Sequence, residues 1–212
     1  MTRLVRLAGR DASHPPPGAI ESLRAGGTVI YPTDTLYGLG VDPSSKEGLA
    51  RLLSVKGREE GKPIPLLLDG PATVSSLARD VPGDASRLMA RFWPGALTIV
   101  LPSLPGVPDA VTGGRGTVGL RVPGHPVPRA LAAAVGGAIT GTSANRAGTP
   151  GVWSTAGEIL AEFRGFVDWI LWDGPSPPSP GSTVVLVEEG KVLLLREGAI
   201  PFRTITDFLG KG

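Results

Sequence analysis

The chain contains no cysteine and only two histidines, His14 and His125, in 212 residues. The first absence excludes disulfides and thiolate metal centres. The second argues against a histidine-based zinc site. No apolar run approaches the roughly 20 residues of a membrane span. The opening Met-Thr-Arg-Leu-Val-Arg is not followed by the apolar stretch of a secretory signal. A soluble cytoplasmic protein without a membrane partner is the resulting expectation. Aromatic residues make up 5% of the chain, and they do not alternate with cations as base-stacking platforms do. Neither sign of charge dominates: 21 Lys and Arg against 19 Asp and Glu leave +2. The sequence pI of about 9.2 reflects that small excess. Whole-chain charge is therefore weak evidence for nucleic-acid binding, and local clustering has to decide.

What is abundant is glycine and proline, 31 and 22 residues. They fall between apolar runs, as rigid turns do. The length suits one domain, 1–212, and no composition shift marks a boundary. Apolar runs predict strands at 28–30, 64–68, 97–101, 117–122 and 138–140. Runs 183–187 and 191–196 flank Glu188-Glu189-Gly190 and predict an antiparallel hairpin. Helical spacing predicts helices at 19–24, 72–79, 85–92, 128–135 and about 155–163. Another helix opens at Ser44, whose spacing to Glu47 is that of a capping box, and stops at Gly57. Strands alternating with helices, then a closing hairpin, imply a mixed-sheet α/β fold.

Three clusters carry chemistry. Tyr31-Pro-Thr-Asp-Thr-Leu-Tyr-Gly-Leu39 hangs three hydroxyls, Thr33, Thr35 and Tyr37, and the Asp34 carboxylate on a strand end framed by Pro32 and Gly38. A tight turn with satisfied hydroxyls and a ligand-binding set weigh equally here. Lys56-Gly57-Arg58 with Lys62-Pro63 gathers three cations after a helix C-terminus. They either offset the helix dipole or form an anion cradle, in which Arg gives bidentate contacts to phosphate and Lys a point charge. Thr140-Gly-Thr-Ser-Ala-Asn-Arg146 supplies small residues that let a ligand approach the backbone. A helix-entry loop rich in capping residues is the plain alternative. This segment is neither a Walker A loop nor a Gly-x-Gly-x-x-Gly loop.

Single residues add to these. Arg121 lies inside an apolar strand and must face solvent, a partner or a ligand carboxylate; an edge strand would be the dull explanation. Ser182 opens a strand and Arg196 ends one, positions that also suit simple turn caps. His125, beside Pro126, reads as a turn residue rather than a base, and Phe92-Trp-Pro-Gly95 as a structural anchor.

Together these motifs make the chain resemble the YrdC/Sua5 family of L-threonylcarbamoyladenylate synthases, from about Gly26 to Pro201. The matching segments, in order, are Tyr31–Leu39, Lys56-Gly-Arg58 with Lys62-Pro63, Phe92–Thr98, Gly119-Leu-Arg-Val-Pro123, Thr142-Ser-Ala-Asn145, Gly181-Ser-Thr-Val-Val185 and Arg196-Glu-Gly198. The resemblance implies a twisted, open mixed sheet with flanking helices and a basic concave face. It implies a transferase that joins ATP, L-threonine and bicarbonate into threonylcarbamoyl-AMP and pyrophosphate. Downstream proteins would use the product to form t6A in tRNA, and a direct tRNA or RNA contact is compatible with a basic face. Lys56, Arg58 and Lys62 would hold the ATP phosphates, with Lys56 and Arg58 catalytic. Thr117, Ser143, Asn145 and Arg196 would bind the nucleotide. Thr35, Arg121 and Ser182 would bind threonine, Arg121 on its carboxylate. Mg²⁺ would arrive with ATP and keep much of its water, with no metal site of protein side chains. An RNA- or nucleotide-binding paralogue without the activity is the competing expectation. Two features depart from the family pattern. Leu67 stands where the family often has His, and the chain resembles the short, single-domain form.

Overall fold

The computed structural model describes residues 1–7, 13–57, 61–146, 151–188 and 190–211. Its organisation follows from short strands that are apolar at every position. Val29–Tyr31 (β2) and Leu66–Leu68 (β4) are buried throughout, the pattern of strands covered on both faces. In β2, Ile30 faces one core while Val29 and Tyr31 face another. In β4, Leu66 and Leu68 face the first core and Leu67 the second. The strand period of two places each alternate residue on the opposite side.

Among the described residues the strands form two open mixed sheets with flanking helices. One has the order β1-β9-β2-β3-β8, built from Arg3–Arg6, Trp169–Trp172, β2, Gly38–Gly40 and Thr142–Ser143. The other has the order β11-β10-β5-β6-β4-β7, from Lys191–Arg196, Thr183–Glu188, Leu97–Pro102, Thr117–Arg121, β4 and Ala138–Thr140. The chain passes from the second sheet to the first at Gly141, between β7 and β8. The larger core takes side chains from helices α2 (Lys46–Lys56), α3 (Gly83–Phe92), α6 (Ala156–Phe163) and α7 (Phe202–Leu209). Helices α1 (Pro17–Arg24) and α5 (Pro126–Ala134) supply the smaller one, and a single turn, α4 (Asp109–Thr112), precedes β6.

The expected open α/β architecture and the closing hairpin are present, with β10 and β11 antiparallel. Several local expectations change. Ser45, not Ser44, caps α2: its side chain accepts from Gly48 N–H, while the Ser44 hydroxyl donates to Asp42 Oδ1 at 2.6 Å. The stretch expected as a helix at 72–79 is a 3₁₀ turn, Pro71–Ser76. At α6 the capping box is real, with Thr155 and Glu158 each bonding the other's backbone N–H. Strand β6 is interior, between β5 and β4, so Arg121 is no edge residue. Strand β3 was hidden by its glycines, which read as a turn. They are required by the Tyr31 ring: a Cβ at Gly38 would sit 2.4 Å from it, and one at Gly40 2.5 Å.

Candidate functional site

The second sheet presents alternate residues of its central strands away from the large core. Leu97, Ile99 and Leu101 of β5 enter that core, as do Val118 and Leu120 of β6. Thr98 and Arg121 therefore point to the other face, where Leu67 stands opposite Arg121 across the β4–β6 pair. These residues floor a cavity of about 400 Å³. Its walls are Thr33, Thr35, Leu36, Tyr37 and Gly38 at the β2–β3 connection, Gly141, Thr142 and Ser143 with Asn145, Lys62-Pro63, and Pro180, Gly181 and Ser182 with Arg196. The cavity thus lies where the two sheets meet. Gly141 is needed at this junction because a Cβ there would lie 2.7 Å from Leu67 Cγ.

Arg121 is 4% exposed. Its Nε donates to Gly95 O at 2.8 Å, one terminal nitrogen to Thr35 Oγ1 at 3.1 Å and the other to Asp34 Oδ1 at 2.6 Å. Burial lowers its pKa, and the Asp34 carboxylate opposes that shift. The same Asp34 oxygen accepts from Gly124 N–H at 3.0 Å. Thr33 Oγ1 lies 3.1 Å from Thr35 Oγ1, and it donates to Leu36 O at 2.6 Å, which fixes the hydroxyl turn. Tyr37 donates to Gly174 O at 2.6 Å and stacks on Trp172 at 5.3 Å. Burial pushes its phenol up to about 12, although the Asp173 N–H bond works in the other direction.

Opposite Arg121, Ser182 Oγ is 2.9 Å from Thr98 Oγ1 and accepts from Arg196 at 3.3 Å. Lys56, in the last turn of α2, is 7% exposed. Its ammonium donates to Ser143 O, Asn145 O and Asn145 Oδ1 at 2.8, 2.6 and 2.8 Å. It ties the loop after β8 to the end of α2.

The structure therefore brings together Thr35, Lys56, Lys62, Arg121, Ser143, Asn145, Ser182 and Arg196 around one cavity. Thr117 is not brought there: it is half-buried at the opposite end of β6 from Arg121, about 13 Å along the strand. Arg58 lies outside the described residues. Thr98 was missed as a site residue, although it is the one hydroxyl in the apolar run Leu97–Leu101. Four cations line the cavity and, among the described residues, no carboxylate does. No group of three or more His, Asp or Glu side chains that could hold a metal ion occurs among the described residues either. The polar lining consists of hydroxyls, carbonyls and cations, a set that suits an anionic ligand rather than a bare divalent cation. Among the described residues no helix is long and apolar enough to cross a membrane. A wider cleft of about 720 Å³, lined by Asp80, Asp84, Arg87 and Glu188 among others, has no comparable convergence of buried polar groups.

A family model covering Sua5, YciO and YrdC proteins, described as telomere recombination, matches residues 21–198. The threonylcarbamoyl-AMP synthase of Pyrococcus abyssi is 34% identical over 189 residues, 89% of this chain and 55% of that protein. A Mycobacterium tuberculosis protein, provisionally named as a threonylcarbamoyl-AMP synthase, is 35% identical over 91% of this chain and 88% of its own length. Among solved structures, Pyrococcus abyssi Sua5 complexed with L-threonine matches at TM-score 0.87 and 32% identity, over 100% of this chain and 61% of that one. Escherichia coli YciO matches at TM-score 0.79 and 26% identity, over 94% and 96%. The chain spans less than two thirds of the Pyrococcus relatives it matches. With most of its length inside the family model, the chain belongs to the Sua5/YciO/YrdC family.

Proposed function

We propose that this chain is an L-threonylcarbamoyladenylate synthase, a nucleotidyltransferase acting on ATP, L-threonine and bicarbonate or CO₂. The observation that carries the reading is Arg121, a buried guanidinium on the floor of a cavity lined by cations and hydroxyls. A guanidinium so placed suits a ligand carboxylate, and the related Pyrococcus protein was solved with L-threonine. In this reading Arg121 takes the threonine carboxylate, with Thr35 and Ser182 beside it. Lys62, Arg196 and Arg58 take the ATP phosphates. Lys56 acts through the Ser143–Asn145 loop that it holds. Thr117 is not used.

The chemistry needs a nitrogen–carbon bond and then an oxygen–phosphorus bond. The deprotonated amine adds to CO₂, or to bicarbonate with loss of water, giving a carbamate. A carbamate oxygen then attacks the α-phosphorus, the bond from that phosphorus to the bridging oxygen breaks, and pyrophosphate leaves with the electron pair. No histidine, aspartate or glutamate lines the cavity among the described residues, so no side-chain base is assigned. Positioning of the three substrates and cationic stabilisation of the leaving pyrophosphate supply the catalysis. Mg²⁺ enters with ATP as part of the substrate and neutralises phosphate charge. The product would pass to the proteins that form t6A in tRNA.

The test is pyrophosphate release with each substrate omitted in turn. Release only when ATP, threonine and bicarbonate are all present is the expected result. Release without threonine, or none with all three, ends the reading. RNA binding that survives physiological salt, with no ATP chemistry, would replace it with a nucleic-acid-binding paralogue.

A further inference from the structure

His125 sits four residues beyond Arg121 and serves two partners at once. It is the N-cap of α5, its Nδ1 accepting the Val127 backbone N–H at 3.2 Å. Its Nε2 lies 3.1 Å from Asp173 Oδ2. A backbone N–H can only donate and a carboxylate can only accept, so the ring is the neutral tautomer with its proton on Nε2. The preceding residue, Gly124, gives its N–H to Asp34 Oδ1, the atom that also receives Arg121. On the far side, Asp173 N–H donates to the Tyr37 hydroxyl, and Tyr37 lines the cavity. One imidazole therefore joins the loop after β6, the start of α5 and the loop after β9, directly behind the Asp34–Arg121 pair.

We propose that His125 is a positioning residue: as the neutral Nε2–H tautomer it clamps the Val122–His125 loop and so holds Asp34 and Arg121 in their ligand-binding arrangement, and protonation at Nδ1 releases the clamp. The proposal goes beyond the synthase reading but uses its assignment of Arg121 to the threonine carboxylate. Protonation sets an Nδ1–H against the Val127 N–H, two donors face to face, and the cap is lost. The groups around the ring act in both directions. Burial and Arg129 disfavour the cation, while Asp173 and Asp34 favour it. The balance lies below the ordinary histidine value, with burial the largest cause. The clamp is therefore intact at neutral pH and opens as the solution turns acid. A helix cap with only a structural role would not carry this pH dependence to Arg121.

The chain has two histidines, so nitrogen NMR of the imidazoles reads the clamp directly, with His14→Gln giving the assignment. Threonine affinity is measured by calorimetry without ATP or bicarbonate, because bicarbonate itself titrates in this range. Between about pH 5 and 7 threonine keeps its charges, so it adds no step of its own. The expected results are an Nε2–H tautomer at neutral pH, a midpoint below 6.5 and an Arg121 Nε–H resonance that moves with the same midpoint. Threonine Kd should rise below that midpoint, by at most tenfold per pH unit. His125→Asn keeps a neutral side-chain cap and should flatten that dependence. An Nδ1–H tautomer, a midpoint at or above 6.5, an Arg121 resonance that ignores the titration, or an unchanged pH dependence in His125→Asn would each overturn the proposal. Absence of threonine binding at every pH would sink the synthase reading instead, and the Arg121 resonance would still decide the clamp.

Discussion

Lys56 and Asn145 are 89 residues apart in sequence, and the Lys56 ammonium donates to the Asn145 carbonyl at 2.6 Å and to its side-chain oxygen at 2.8 Å. The cation secures the loop that carries Ser143 and Asn145 at the edge of the cavity. Lys56→Met keeps the length and removes the donors, leaving those oxygens without their cation. Stability should fall by about 1.5–3 kcal/mol, the range for hydrogen bonds to a charged group, and the KM for ATP should rise. Urea unfolding at neutral pH with a steady-state assay checks both. An unchanged unfolding midpoint would show that the loop is held by other contacts.

Arg121→Lys retains the charge and loses the fork. A lysine ammonium cannot serve Gly95, Thr35 and Asp34 and also meet a carboxylate in bidentate geometry. Threonine affinity should drop by ~10-fold or more, one charge-assisted hydrogen bond's worth, with little change for ATP. Equal losses for both substrates would remove Arg121 from the threonine subsite.

Arg58→Ala should reduce turnover by ~10²-fold, as loss of a preorganised electrostatic donor does. Comparison of turnover and melting temperature on one preparation checks it. Normal turnover would leave this cation with no part in the chemistry.

Leu67 is 3% exposed, packs with Val127, Leu131 and Ile139, and edges the cavity floor. Leu67→His places an imidazole in that apolar cluster and should cost roughly 1–3 kcal/mol where it finds no partner. Because the position also borders the cavity, the KM for threonine should shift more than that for ATP. A large fall in melting temperature with unchanged threonine affinity would assign Leu67 to the core alone.

Asp168 gives a pH dependence of stability with a definite sign. Burial works to raise its pKa, but hydrogen bonds from Thr28 and the Arg51 pair outweigh burial and leave it below 3.8. A carboxylate with a depressed folded pKa stabilises the protein above its unfolded value and loses that contribution as pH falls through the folded value. Asp168→Asn should therefore lower stability by about 1 kcal/mol at pH 7. The gap from the natural protein should narrow below about pH 3.8. Urea unfolding at pH 7 and pH 3 measures it. A gap independent of pH would mean the charge contributes nothing.

The sequence by itself determined the material of the site. The hydroxyl-rich turn after β2, the cations after α2, and the Ser143 and Asn145 pair are local motifs, set by residue types a few positions apart. Helical spacing likewise placed α6 and hairpin chemistry the β10–β11 pair, because those signals act within a few residues of chain. Other features depended on contacts between distant segments. The β3 glycines make sense only against the Tyr31 ring, and Arg121 became a cavity-floor residue only when β4 and β5 paired on either side of β6. The same holds for Thr98, whose face is set by which side of β5 the large core occupies. The partners of Lys56 and the two-sided tautomer of His125 were also settled by the tertiary structure. A donor's role depends on which acceptor lies within about 3 Å, and here those acceptors come from segments distant in the sequence.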